Sequence, residues 1–394
     1  MTLDYQKVSE QVQQLGAEAP ARLLRLKELQ QQARDLLIAN AGEAEQLNHK
    51  IDTIVRLHDP NLRCARPAAG PLGTYESLNR VHALPPAPRQ GMILAADGSQ
   101  INPDRHAAVN FGLINIGSIQ MSIGSADAPR VALQSELIFS DRLYSSDGTI
   151  GEAQLALMRD LRERKQLAEL SDVASRPVIT FTDGPMELWG GRDAETSRDF
   201  QKSMEEYREV LNRLEGLKVA TAGYVDKPAS NLVVRLLEVA SLLDDQLAKT
   251  RATSPLRGVL DRVLFQDLLN PGERSAIFAI QSNSAGNYPG SLELHFFYLN
   301  VGRSGHPWLA RVEIPSWVVS SPGMLDDLHS ILVQQCRVLG NRPYPYLLHR
   351  AHEAALVTWQ DRQQVAAMIE MELRSRGVEV GEASQKQALK DLER

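Results

Sequence analysis

Apolar residues recur at helical spacing over residues 18–40, where Leu23, Leu26, Leu29, Ala33 and Leu36, joined by Leu24 and Leu37, are set among Arg, Lys, Glu and Gln. That stripe predicts an amphipathic helix. A second helix is predicted over 44–57. The Pro- and Gly-rich stretch from Pro67 to Pro88 then interrupts regular structure, because proline removes a backbone donor and restricts the residue before it. Residues 1–66 are read as an N-terminal helical region, 67–88 as a connector, 89–372 as the main domain and 373–394 as a charged tail.

The main domain opens on strand-like runs at 91–96, 107–116, 118–124 and 130–139, separated by turn residues, which is the pattern of an antiparallel meander. A helix over 151–170, a strand ending at Asp183, a helix over 195–214 and a strand over 217–223 follow. The remainder predicts helices at 229–247 and 255–268, strands at 275–281, 291–299 and 308–314 with a hairpin turn at 303–306, then helices at 322–338 and 346–372. This order predicts an α/β fold, a mixed sheet with helices on its faces and an N-terminal helical extension.

Composition narrows the functions open to such a fold. Lys and Arg number 43 against 49 Asp and Glu, a net charge of -6, so a nucleic-acid partner has to be held by a local basic surface rather than by the overall field. No run of about eighteen apolar residues and no apolar leader occurs, which predicts a soluble, cytoplasmic chain without a membrane partner. Cys64 and Cys336 are too few for a thiolate metal site or a disulfide framework, and both are read as reduced, Cys336 as a buried packing residue. The chain carries no Gly-x-x-x-x-Gly-Lys-Ser/Thr loop, so any ATP-driven motion has to come from a partner.

The candidate chemistry lies in carboxylates. The run Gly91–Ala96 stops at Asp97-Gly98, and Pro177–Thr182 stops at Asp183-Gly184. Two strands ending this way can bring both carboxylates to one sheet edge, where a divalent cation would neutralise them; the alternative is a pair of turns in which Asp accepts local amide hydrogens. Within the helix over 151–170, a rotation of 100° per residue aligns Ala156, Glu163, Leu167 and Leu170. Glu163 is thereby turned inward, and a buried carboxylate demands pairing or coordination. It is read as a third acidic ligand, with an ion pair to Arg159 as the alternative. Glu152 lies near the same line but in the first turn, where the helix dipole already accounts for an acid, and is held in reserve. His349 and His352 can share a helix face, yet no His-Glu-x-x-His spacing or cysteine cluster completes a zinc site.

These residues keep company with further landmarks: Asp261-Arg-Val-Leu-Phe265, Gly272-Glu-Arg-Ser275-Ala-Ile-Phe278, Ala310-Arg-Val-Glu-Ile-Pro315-Ser-Trp317 and Tyr344-Pro-Tyr-Leu-Leu-His-Arg-Ala-His352-Glu353. In order and spacing the sequence resembles the NurA nuclease family across most of residues 90–360. The resemblance implies an RNase H-like core and a homodimer around a central channel. It also implies Mn²⁺-dependent cleavage of single- and double-stranded DNA, with Mg²⁺ as the alternative ion and a 5′ to 3′ preference, in end resection beside a HerA-type hexameric ATPase. It maps the acidic pattern onto Asp97, Glu163 and Asp183 and the C-terminal Tyr and His onto Tyr344 and His352. Tyr344 is read as orienting phosphate or water, against an aromatic anchor at the helix mouth, and His352 as positioning phosphate, assisting proton transfer or joining the three acids as a metal ligand, against a helix-packing histidine. Asp183 is followed here by Gly-Pro rather than the family's more usual Gly-Ser, which keeps the ligand and changes the turn. Arg257, Arg262 and Arg274 lie beside family-like segments and are candidate phosphate contacts, against a salt-bridged or solvated surface. A noncatalytic DNA-end adaptor for the ATPase and an RNA nuclease stand as alternatives to the DNA nuclease.

Overall fold

A computed structural model describes residues 3–70, 72–145, 148–188, 198–378 and 380. The first elements along the chain are α1 (Tyr5–Ala39), α2 (Ala44–Leu57), β1 (Cys64–Pro67), β2 (Val81–His82), β3 (Gly91–Ile101), β4 (Gly112–Ile123), β5 (Arg130–Ile138), β6 (Tyr144–Ser145) and β7 (Gly148–Thr149). After them come α3 (Glu152–Asp172), β8 (Val178–Asp183), α4 (Arg198–Gly216), β9 (Ala220–Val225), α5 (Leu232–Ser241), α6 (Asp261–Gln266), β10 (Arg274–Ser275) and β11 (Phe278–Gln281). The last are β12 (Leu294–Asn300), β13 (Leu309–Pro315), α7 (Ser316–Val319), α8 (Pro322–Val338), α9 (Tyr346–Ala355) and α10 (Trp359–Ser375). No described helix is long and apolar enough to cross a membrane.

The chain forms two compact units, one of Met1–Leu84, Asp226–Pro289 and Glu293–Val312, the other of Pro85–Val225, Gly290–Leu292 and Glu313–Arg394. In the first, β1 pairs antiparallel with β11, β11 with β12, and β10 with both β12 and β2. Its core contains Phe265, Phe278, Phe296 and Tyr298, with Phe265 stacked on Tyr298 at 4.7 Å between ring centres. Asp261 is buried beside them. Its carboxylate accepts from the amides of Val233 (3.1 Å) and Val234 (2.8 Å) at the start of α5 and from the Tyr298 hydroxyl (2.7 Å). The Asp261–Phe265 landmark is therefore a helix anchor, meeting backbone donors that a helix start leaves without partners.

The second unit contains the sheet order β5-β4-β3-β8-β9. β4 runs antiparallel to β3 and β5, while β8 runs parallel to both β3 and β9. The parallel pair β8 and β9 requires a crossover, which α4 supplies. A meander continued into parallel strands, with helices on the faces, is the mixed α/β fold that the residue pattern predicts and the RNase H-like core that the family resemblance implies. Buried Leu155, Leu161 and Leu167 make the inner side of α3, and Leu347, Leu348, Ala351 and Ala355 that of α9.

Several boundaries differ from the hydrophobic pattern. The runs 107–116 and 118–124 merge into a single strand, β4, which starts only at Gly112 and runs to Ile123, because Gly117 stays extended in the ladder opposite Asp97 instead of turning the chain. β3 continues past Asp97 to Ile101, so Asp97 lies within a strand and only Asp183 ends one. The helix expected over 346–372 breaks between Ala355 and Trp359. Thr358 starts α10 with a capping box, its side chain accepting from the Asp361 amide at 3.2 Å while Asp361 accepts from the Thr358 amide at 2.8 Å. At the other end of the chain α1 begins at Tyr5, well before the stripe at residue 18.

Candidate active site

Strand alternation decides which side chains can meet. Successive residues of a strand point to opposite faces, and on β3 Asp97 and Ser99 face α9 while Gly98 and Gln100 face α3. The Ser99 hydroxyl donates to the carbonyl of Ala355, the last residue of α9, and Asn115 Nδ2 donates to the same carbonyl at 2.8 Å. On the other face Gln100 Nε2 reaches the Glu152 carbonyl of α3 at 3.4 Å.

Two glycines let these helices approach. A β-carbon on Gly117 would stand 2.6 Å from the Ala351 carbonyl oxygen and 2.7 Å from the Ala355 nitrogen, so α9 lies directly on the β4 backbone there. A β-carbon on Gly98 would stand 2.6 Å from Arg159 Cγ and 2.8 Å from Glu163 Oε1. A glycine inside a strand pattern is the sequence signal of such close approach, and it is the signal that a reading of Gly117 as a break passes over.

The contact of α9 with β4 brings His352 to Asp97, Nδ1 lying 2.7 Å from Oδ2. Asp97 keeps only 14% of its side chain exposed, whereas His352 keeps 62%. An ionised carboxylate can only accept, so the proton of a neutral His352 sits on Nδ1, leaving Nε2 as an acceptor.

Asp183 joins this pair through the parallel ladder. Ala96 and Thr182 are partners in register, which sets Asp97 and Asp183 side by side on neighbouring strands. Asp183 is exposed at the end of β8, yet the packed surroundings withdraw water from its carboxyl and push its pKa up; the Asp97 charge adds to the rise, while hydrogen bonds from Tyr344 and the Gly184 amide and the nearby His352 oppose it. Tyr344 precedes α9 and is braced edge-on by Tyr224 of β9, with ring centres 5.6 Å apart. The start of α9 is tied to α8 by the Leu347 amide, which donates to Gln335 Oε1 at 3.1 Å.

Glu163 is inward, as the helical wheel predicts, with 3% of its surface exposed. Its carboxylate lies on the α3 side of β3, 3.4 Å from Arg159 Nε, so the ion pair and the inward position hold together. Burial holds its pKa well above the usual carboxylate range, Asp160 and Asp97 raise it further, and Arg164 and Arg159 pull it back. Glu152 is exposed in the first turn of the same helix. Among the described residues no three His, Cys, Asp or Glu side chains form a group able to hold a metal ion. The expected convergence of three carboxylates is thus replaced by a pair, Asp97 and Asp183, with His352 and Tyr344 on one face and Glu163 behind the strand. The pair by itself fits a hard divalent ion that keeps most of its waters, since such ions bind through one or two carboxylates plus substrate phosphate.

A buried network fixes the turn that carries Asp183, and nothing in the residue pattern announces it. Arg164 donates to the Pro185 carbonyl at 2.8 Å and to the Tyr207 hydroxyl at 3.1 Å. Tyr207 donates to the Met186 carbonyl at 2.8 Å, and the Met186 amide donates to Glu313 Oε2 at 2.8 Å. The Gly184 amide closes the turn on the Tyr224 carbonyl at 2.8 Å.

The three arginines proposed for phosphate belong to the other unit. Arg257 is exposed and Arg262 partly so. Arg274 is buried, its guanidinium 5.7 Å from the centre of the Phe297 ring and donating to the Ser275 carbonyl at 3.0 Å, so it packs that unit's core and is not available to a phosphate.

Comparison with known proteins gives one family. The NurA domain matches residues 91–357. No curated protein matches the sequence. Among solved structures, the NurA nuclease from Sulfolobus solfataricus is similar at 12% identity and a TM-score of 0.45, over 75% of this chain and 88% of that one. Human ENDOV is similar at 14% identity and a TM-score of 0.32, over 71% of this chain and 86% of that one. Endonuclease V of Ciona intestinalis, solved with a 24mer DNA, follows at 10% identity and a TM-score of 0.29, over 71% of this chain and 88% of that one.

Proposed function

The chain belongs to the NurA family, and from that premise we propose that this nuclease-type hydrolase is a divalent-metal-dependent deoxyribonuclease that hydrolyses phosphodiester bonds at Asp97 and Asp183. The observation that carries the reading is the pairing of two carboxylates on adjacent parallel strands, each hydrogen-bonded by a group from the α9 region, Asp97 by His352 and Asp183 by Tyr344.

Asp97 and Asp183 would hold Mn²⁺, or Mg²⁺ in its place. Such an ion, when bound, makes a water nucleophilic at neutral pH and neutralises charge on the phosphate. Asp97 orients the His352 ring through Nδ1, and Nε2 takes the proton from the attacking water. Tyr344 holds the Asp183 carboxylate in one rotamer and can pass its hydroxyl hydrogen bond to a phosphate oxygen. Glu163 supports the site from the far face of β3, with Arg159 Nε 3.4 Å from its carboxyl. Arg257 and Arg262 remain the candidates for backbone phosphate contacts. The protein acts as a homodimer in DNA end resection, with a HerA-type hexameric ATPase supplying the translocation for which this chain has no phosphate loop.

The test is cleavage of labelled single-stranded DNA, duplex DNA and RNA by the purified protein with Mn²⁺, Mg²⁺ or chelator, beside Asp97→Asn and Asp183→Asn. Metal-dependent DNA cleavage lost in both variants is expected. Equal cleavage in chelator overturns the metal chemistry, and cleavage confined to RNA overturns the substrate assignment.

A further inference from the structure

Where α10 lies against the segment leading into β4, the second unit contains a pocket of 310 Å³. Its walls include Trp359 and Phe111 with Ala107, Ala108, Ala366 and Ala367, two aromatic rings among side chains of a single methyl. Trp359, Gln363, Ala366 and Glu370 step by three and four along α10, so one edge of the helix supplies them. The wall behind them is fixed. Phe111 belongs to a buried cluster with Ile101 and Leu113, on which Val365, Ala366 and Ile369 of α10 pack, and Arg362 ties the helix to Asp104 at 3.2 Å. Trp359 keeps 38% of its surface exposed, leaving ring for a guest to cover.

This lining suits one class of guest. Among the described lining residues the cation, Arg362, is met by Asp104, and Glu370 is met by Arg374 at 3.2 Å, so the walls favour a neutral planar group over a free anion. An indole stacks on the face of any nucleobase, and the alanines leave room for the thickness of a second ring. The Gln363 amide carries both a donor and an acceptor, the pair with which glutamine meets the edge of a base. Position agrees with chemistry. By strand alternation Asp97, Ser99 and Ile101 share one face of β3, with His352 of α9 on Asp97 and α10 packed at the Ile101 end. Ile101 lies about 13 Å along the strand from Asp97, at ~3.3 Å per residue, which is the length of about four stacked nucleotides at ~3.4 Å each.

We propose that this pocket takes an unpaired nucleobase of the same DNA strand whose phosphate lies at Asp97 and Asp183, with Trp359 stacked on its face and Gln363 on its edge. A paired base offers only its groove edges, so the guest has to be out of the duplex, and a single strand or frayed end gives it up at least cost. The inference rests on the deoxyribonuclease reading and adds the form of DNA that the site prefers.

The experiment measures binding of a labelled short single strand to the full chain in chelator, so that no cleavage enters the readout. Trp359→Ala is expected to weaken binding by about 5- to 150-fold, the worth of one base stacked on an aromatic ring, and Trp359→Phe much less. Ala367→Leu, which fills the pocket and keeps the indole, is expected to weaken binding as well. One abasic position, moved along the strand, should weaken the parent chain at a single place and leave Trp359→Ala indifferent. Parent-like binding by Ala367→Leu overturns the pocket, and so does a Trp359→Ala loss that is equal for intact and abasic strands at every position. Free deoxyadenosine competing as well as the strand does overturns the strand as source of the base. A chain that binds in this way and cuts nothing with any metal would sink the nuclease chemistry and leave the pocket standing, whereas metal-dependent cleavage without these binding effects would do the reverse.

Discussion

His352 Nδ1 lies 2.7 Å from Asp97 Oδ2 across 255 positions of chain. The contact exists because Gly117, opposite Asp97 in the β3–β4 ladder, has no side chain to hold α9 away. If this dyad moves the proton, His352→Ala should lower the rate of DNA cleavage by roughly 10²–10⁴-fold. Its ring is mostly exposed, so the thermal midpoint should change little. Single-turnover rates beside a melting curve check both halves.

Gly117→Ala should separate α9 from β4. The new methyl would need room now filled by helix backbone, which cannot swing aside as a long side chain can. Overpacking of this kind costs about 1–3 kcal/mol, and activity should fall further than stability because His352 moves with the helix. Gly286→Ala, where nothing lies within 4 Å, is the control that should leave both unchanged.

Tyr207→Phe removes a hydroxyl that both accepts from Arg164 and donates to Met186. It leaves a buried guanidinium nitrogen and a carbonyl short of partners, at a cost of about 1–3 kcal/mol. As the Asp183 turn hangs on the same network, the variant should also need more Mn²⁺ to reach half-maximal activity. Urea denaturation and a metal titration read the two effects separately.

Asp261 provides a pH signature in the other unit. Burial raises its pKa from 3.8 to about 6, against the pull of the Val234 amide, Tyr298, the Val233 amide and Arg311. The native state therefore holds a proton that the unfolded chain has already released between these values. Its contribution to stability is present below about pH 4 and is lost as pH rises through about 6, on the order of 3 kcal/mol in all. Asp261→Asn should be less stable, because one backbone amide loses its acceptor, and should lose this share of the pH dependence. Comparing denaturation midpoints of the two proteins from pH 4 to 7 isolates the group.

The site was legible in the sequence in proportion to how local its signals are. Asp97 and Asp183 are marked by apolar runs that end at Asp-Gly, and Glu163 by its phase on a helix. His352 and Tyr344 came from family landmarks. The Thr358-x-x-Asp361 capping box was present in the sequence too, outweighed by a helical pattern that runs through it. Arg164 and Tyr207 carried no signal, since a buried Arg and a core Tyr look like any others until the turn they hold is in place.

The residue order by itself determined the mixed α/β architecture, the family and the inward phase of Glu163, because periodicity and turn chemistry act over a few residues. Only the tertiary structure decided that Asp97 and Asp183 share a face with His352 while Glu163 stands behind them. The side a carboxylate takes depends on strand register and on which helix covers each face of the sheet, and those are set by packing between segments far apart in the chain.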